Sequence, residues 1–221
     1  MAAGWGLWTT ASMAFVLLIC IVCCGQVSVE AFPHFGRAGG GASLTDLQRH
    51  VEFFDRNKDG VITLTESITG FIAIGFEPTF ATASATATHA AFGPLTTPPG
   101  KLPSTNIHIS HIHRAIHGSD SGAYDKKGTF VPENFEKIFK KHAHIKPDCL
   151  TWLEIRELLI ANRDLLDPIS WAPAEVEWEL IYQLGKDKRG YLHKETLRGV
   201  YDGTVFYQFA NRTDVTLRSD V

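Results

Sequence analysis

The sequence predicts a mainly α protein, a single helical domain containing one EF-hand that follows an N-terminal apolar leader. Three observations carry this. Of 221 residues, 44% are hydrophobic and 20% charged, the proportions of a chain that buries one core. Apolar residues recur at helical spacing on both sides of an acidic loop at 55–66. An apolar stretch stands at the N-terminus, outside that periodic region. The net charge of −3 offers no positive field for a polyanion, so nucleic acid is not an expected partner. The 4 cysteines are too few to staple a fold of this size, and Cys20, Cys23 and Cys24 share one apolar run.

Residues 1–31 contain one charged side chain, Glu30. Apolar density peaks at Met13–Cys24, the length of a secretory h-region, with Val29 and Ala31 as small residues before a cleavage point. The whole run from Trp5 to Gly25 would reach roughly 30 Å as a helix, enough to span a bilayer. This segment is a signal peptide or a signal anchor. Arg37 and Arg49, with no Lys or Arg before the run, favour an anchor that leaves the body in the cytosol. Either reading sends the chain to the endomembrane system. Residues 32–43 form a Gly-rich linker. The folded domain is expected over 44–210 and a tail over 211–221.

The EF-hand occupies 44–75. Leu44, Leu47, Val51 and Phe54 have helical spacing, with Thr45 or Asp46 as the start signal. Asp55, Asn57 and Asp59 then place oxygen ligands at loop positions one, three and five. Gly60 permits the sharp turn, Val61 offers its carbonyl, Thr63 acts directly or through water, and Glu66 supplies a bidentate carboxylate. Calcium is the cation this donor set selects. Two later stretches, Asp125–Glu133 and Asp187–Glu195, keep the Gly-x-apolar centre but put Lys or Arg where an acid should sit. They read as degenerate turns that pair structurally without binding metal, so one calcium is expected.

The middle of the chain is less explicit. Between Ser67 and Gly100 the one charged residue is Glu77, and Thr79–Phe92 is an Ala/Thr-rich stretch too dilute to span a bilayer. It suits a membrane interface or a cover over the protein. Pro94, Pro98, Pro99 and Pro103 predict an extended or turning connection after it. Seven of the 10 histidines fall from His89 to His144, the tightest group being His108, His111, His113 and His117. On a helix His113 and His117 would share one face. Zinc would want further ligands, and no HExxH or cysteine pair is present. A serine hydrolase would want Gly-x-Ser-x-Gly, which is absent. Haem needs one axial imidazole and an apolar pocket, and without Cys-x-x-Cys-His it would be held without thioether links. A helix C-terminus capped by Gly118 also explains His117.

In the C-terminal half, Thr151-x-x-Glu154 is a capping box that opens a helix, and Pro173 suits the first turn of another. Trp171 and Trp178 read as core aromatics. Lys137, Lys140, Lys141, His142 and His144 read as a solvated basic face.

Five stretches resemble one family. LQRHVEFFDRNKDGVIT at 47–63, IHRAIHGSDSGAYD at 112–125, NRD at 162–164, EWELIY at 177–182 and DGTVF at 202–206 are similar to the caleosins, plant and fungal peroxygenases of lipid droplets and endomembranes. The resemblance spans Leu44 to Phe206. It implies one calcium and one haem, and the use of a hydroperoxide to oxygenate unsaturated fatty acids or similar lipophilic molecules. It also implies haem-binding and catalytic roles for His50 and His117, one of them axial, with His113 as a spare candidate. Fatty-acid hydroperoxides, unsaturated fatty acids and a membrane are the partners this implies. The central segment is less apolar than in droplet-bound members and the leader is atypical of them. Endoplasmic reticulum or secretory-pathway membrane is therefore favoured over the lipid droplet. The competing reading is a non-enzymatic calcium-binding membrane protein, a sensor or organiser.

Overall fold

A computed structural model describes residues 43–219. The expected leader at 1–31 and all but the end of the linker at 32–43 lie outside the described residues. The chain is mainly helical, as its periodicity predicts. Helix α1 (Asp46–Glu52) starts where Thr45 accepts the Gln48 amide and the Gln48 side chain returns a bond to the Thr45 N–H. Strand β1 (Val61–Ile62) leads into α2 (Leu64–Ala73), capped in the same way by Thr63 and Glu66. Helix α3 (Pro78–Thr96) follows, then β2 (Ile107–His108) and a 3₁₀ segment over Ile109–Ala115. The second half runs through α4 (Pro132–His142), β3 (Cys149–Leu150) and α5 (Trp152–Ala161). It ends with α6 (Trp171–Gly185), β4 (Leu192–His193), α7 (Lys194–Tyr201) and α8 (Thr204–Ser219).

Among the described residues four strands form two short antiparallel ladders. Ile62 pairs with Ile107, and Leu150 pairs with Leu192. Each ladder stitches together two helix-strand segments, so the fold is built from two similar halves. The likeness extends to the loops. Glu66 Oε1 accepts the Arg56 and Asn57 amides at 3.1 and 3.3 Å, and its Oε2 accepts the Thr63 amide and hydroxyl. Glu154 repeats the arrangement, with Oε1 on the His144 and Ile145 amides and Oε2 on the Thr151 amide and hydroxyl. Residues 143–154 thus share the frame of 55–66, but Ala143, Ile145 and Pro147 stand where the first loop has Asp55, Asn57 and Asp59.

This corrects the expected pairing. Strand β1 is joined by Ile107–His108 and by neither degenerate turn. The Asp125 turn closes on itself through a Tyr124–Phe130 bridge and docks on α1, where the Leu47 amide donates to the Gly128 carbonyl at 2.9 Å. The Asp187 turn contributes β4 to the other ladder.

Helix α3 shows how the Ala/Thr stretch is used. Ala81, Ser84, Ala85, His89 and Gly93 form its buried face. Thr82, Thr86 and Thr88 bond the carbonyls of Pro78, Thr82 and Ser84, which satisfies the hydroxyls within the helix. The helix runs through Pro94 to Thr96 before the chain turns, two residues beyond the expected break. His89 ties it down, with Nε2 on the Ser67 hydroxyl at 2.8 Å and Nδ1 on the Thr105 carbonyl at 2.7 Å. Among the described residues no helix is long and apolar enough to cross a membrane. Helix α8 passes residue 210 without a break, so the expected tail boundary falls inside it. The main core joins Phe53, Phe135, Phe139, Leu150, Leu158, Trp178, Leu197 and Phe206. Ile62, Ile107, Ile109 and Ile112 make a second cluster beneath the first ladder.

Candidate functional site

The loop at 55–66 follows α1 directly, and its backbone needs two left-handed residues, Lys58 (φ 61°) and Gly60 (φ 86°). Asp55 is buried and accepts the Asp59 and Gly60 amides at 3.2 and 2.8 Å. Asp59 accepts from the Val61 amide, and the Asn57 side chain donates to Asp59 at 2.9 Å. Burial holds the Asp55 carboxyl above its ordinary range, and the nearby Asp59 and Glu66 carboxylates push it the same way. Asp55, Asn57, Asp59, Thr63 and Glu66 are thus gathered into one loop of oxygen donors, with Val61 on its rim at the start of β1. Among the described residues no three His, Cys, Asp or Glu side chains converge as a ready-made metal cluster. The loop carboxylates spend their oxygens on backbone amides instead.

His50 lies one turn before that loop, near the end of α1. Its Nδ1 meets the Val200 carbonyl at 2.6 Å, and its ring stands edge-on to Phe206 at 5.2 Å. The bond to a carbonyl makes Nδ1 the protonated nitrogen and leaves Nε2 with the lone pair. Burial lowers the affinity of this imidazole for a second proton. The chain reaches His50 through Gly203 (φ 79°), where a Cβ would collide with the Arg49 carbonyl and the Cα of His50. Phe206 also lies 5.7 Å from Phe53 and 5.5 Å from Phe54, so one ring packs against both the histidine and the start of the acidic loop.

His117 approaches from the other side of the sequence. Its Nε2 is 3.7 Å from the Glu177 carboxylate on α6. That neighbour raises the imidazole's proton affinity, against the opposing effect of burial. Its Nδ1 is buried and has no hydrogen-bond partner. The Glu177 charge also favours the protonated form of His50, against the larger effect of burial. Asp120 belongs to the same neighbourhood, its carboxyl raised chiefly by burial. Ser121 bonds the Tyr201 hydroxyl at 2.7 Å, and Tyr124 donates to the Tyr201 carbonyl at 2.6 Å. Ser119 meets Ser170 at 2.6 Å and accepts the Asp164 amide, while Gly118 leaves no room for a Cβ against Asp164.

His113 does not share a helical face with His117. It sits in the 3₁₀ segment, which ends at Ala115, and it stacks with His111 at a centroid distance of 6.5 Å. His117 follows in a turn, where the Asp120 amide bonds its carbonyl, and Gly118 is not a left-handed helix cap. The basic face is also only partly solvated. His142 is buried, and with His144 it holds the Glu157 carboxylate at 3.0 and 2.9 Å. Trp178 is buried, whereas Trp171 is half-buried and donates to the Asp164 carbonyl at 2.8 Å. Reading residue types could not identify the Val200 carbonyl, Gly203 or Phe206 as the socket of His50. Glu177 stood inside a quoted motif without a role.

The family model described as "Caleosin related protein" matches residues 42–210. A peroxygenase of Lilium longiflorum is 41% identical over 179 residues, covering 78% of this chain and 74% of that protein. A probable peroxygenase 4 of Arabidopsis thaliana is 46% identical over 162 residues, covering 72% and 83%. A probable inactive peroxygenase-like protein of Arabidopsis thaliana is 43% identical over 89 residues, 40% of this chain and 43% of that one. No solved structure matches the chain at a significant level.

Proposed function

The chain belongs to the caleosin family, and on that premise we propose that it is a calcium-binding, haem-dependent peroxygenase. In this reading it uses a fatty-acid or lipid hydroperoxide to oxygenate unsaturated fatty acids at an endomembrane. Peroxygenase relatives that cover most of the chain support the reaction class. One observation supports the site above the rest. The family's two candidate histidines differ in a telling way: His50 has Nδ1 bonded to the Val200 carbonyl, and His117 has a buried Nδ1 with no partner.

The residues fit haem on that ground. His50 would hold the iron through Nε2, because the Val200 carbonyl fixes the ring orientation and strengthens the imidazole as a donor. Haem bound there supplies the chemistry that moves oxygen from a hydroperoxide to an organic substrate. His117 serves as the proton carrier. Its imidazolium is stabilised by Glu177 and can return a proton to the alcohol oxygen released from the hydroperoxide. The Asp120 carboxyl also favours the protonated form of His117. His113 has no part in this arrangement.

The oxygen set of the 55–66 loop fits calcium, a hard cation that takes carboxylates, carbonyls and hydroxyls. Asp55, Asn57, Asp59, Thr63 and Glu66 would bind through side chains and Val61 through its carbonyl. Calcium there would compete with the loop amides for the Glu66 carboxylate and would offset the repulsion among the carboxylates around Asp55. Because Phe206 packs against Phe53, Phe54 and His50, an ordered loop steadies the histidine on α1.

The test is spectroscopic. The protein with calcium and haem supplied is expected to show a Soret band that His50→Ala loses. His117→Ala is expected to keep the band and turn over slowly with a lipid hydroperoxide and an unsaturated fatty acid. No Soret band from folded, calcium-loaded protein would overturn the peroxygenase reading and leave the calcium-binding membrane protein.

A further inference from the structure

Cys149 and His193 stand opposite each other across the β3–β4 ladder, beside the fully buried Leu150–Leu192 pair. The Sγ of Cys149 lies 3.4 Å from His193 Nδ1, and His193 Nε2 lies 3.0 Å from the Asp187 carboxylate. The other oxygen of Asp187 accepts the Arg189 and Tyr191 amides at 2.8 and 3.0 Å. These bonds hold its carboxyl down at about 2, so it stays ionised. A carboxylate on Nε2 fixes the proton there and leaves Nδ1 as a base facing the thiol. Burial pushes the Cys149 thiol up, as do the carboxylates of Asp187, Asp148 and Glu154, against the charge of Lys146. The resting group is therefore S–H, with its base already in place. None of these residues belongs to the acidic loop or to the histidine site.

We propose that Cys149, His193 and Asp187 form a second reactive centre, a nucleophilic thiol that reduces small hydroperoxides. Sulfur attacks the terminal oxygen of R–O–O–H while its proton passes to His193 Nδ1. The S–O bond forms, the O–O bond breaks, and the departing RO⁻ takes the proton from His193 to leave as ROH. Sulfur is oxidised by two electrons to Cys–S–OH and the peroxide is reduced by two. Two equivalents of a small external thiol then restore the cysteine, releasing water and the thiol's disulfide. Cys149 is buried at 5% exposure, so the oxidant proposed here is hydrogen peroxide or a short alkyl hydroperoxide and not a bulky one. The inference takes only its class of oxidant from the proposed activity. It gives the protein a thiol that responds to small hydroperoxides, apart from the lipid hydroperoxide of the proposed activity.

The full chain is treated with hydrogen peroxide in the presence of dimedone, and the peptide carrying Cys149 is followed by mass, separately from Cys20, Cys23 and Cys24. Trapping at Cys149 is expected to be at least about tenfold faster than on a free cysteine peptide in the same tube. His193→Gln should remove that advantage, and Asp187→Asn should reduce it. Melting curves show which variants fold, and if His193→Gln does not, Asp187→Asn decides. Trapping no faster than the free peptide, or unchanged in a folded variant, overturns the proposal. The assay needs neither haem nor calcium, so its failure and a missing Soret band are independent results.

Discussion

The Nδ1 of His50 and the carbonyl oxygen of Val200 meet at 2.6 Å across 150 residues of sequence. The bond ties α1, which opens into the acidic loop, to the last turn of α7. A backbone acceptor cannot be removed by a side-chain change at 200, so the bond has to be tested through the geometry around it.

Gly203 is the place to test it. Alanine there meets both a positive φ and the backbone of Arg49 and His50. Gly203→Ala is expected to cost about 1–3 kcal/mol of stability. It should also lower the haem bound per protein, read from the Soret band against protein concentration. A variant that melts like the parent with full haem content would remove Gly203 from the site.

Calcium should stabilise the fold through Glu66. At a free calcium concentration of about 100 times Kd the gain is about 2.7 kcal/mol, visible as a rise in Tm. Glu66→Gln is expected to abolish most of that rise, and also to lower the Tm without calcium, because one of the two oxygens that accept the loop amides becomes a donor. Calorimetric titration checks the stoichiometry, expected to be one, because 143–154 lacks the acids of the first loop.

Two buried imidazoles set an acid limit. His50 and His89 bind a second proton less readily in the fold than their ordinary value of 6.5, mainly because they are buried. The unfolded chain therefore takes up more protons as pH falls below 6.5, and stability declines there. Denaturant midpoints measured from pH 7 downward should fall, and His89→Gln, in a variant that folds, should flatten part of the slope.

Glu177 acts at the other limb. It raises the proton affinity of His117 above the ordinary 6.5, so the stability that pair contributes is present below 6.5 and fades as pH rises through the raised value. Glu177→Gln should weaken this alkaline decline. In the proposed reaction the basic limb of the kcat/KM profile should move to lower pH, while a purely structural carboxylate would leave the profile in place.

Much of this was legible because it is written in residue types. The acidic loop, the Thr-x-x-Glu caps and the helical spacing at 44–54 depend on side chains at fixed offsets, and the matching helices stand close to where spacing puts them. The partner of β1 was not legible, since Ile107–His108 has no loop acids and looks like part of a histidine cluster. The frame at 143–154 was hidden for the same reason, showing only its capping box. Helix α3 escaped because its buried face is made of Ala, Ser and Gly, which bury by closeness rather than by bulk. The socket of His50 depends on a carbonyl and on a missing Cβ, and neither leaves a mark in composition.

The twin loops have an unequal fate. Glu154 has no rival for its oxygens, so the second half stays latched and presents α6 and α7 as a fixed anvil. Glu66 is held by the amides of its own loop, and in the proposed reading a calcium ion would compete for the same oxygens. In that reading calcium would bear on the first half alone, through the loop that follows α1. On the proposed reading, calcium would act on one of two like loops, while the other keeps its shape and serves as the molecule's internal reference.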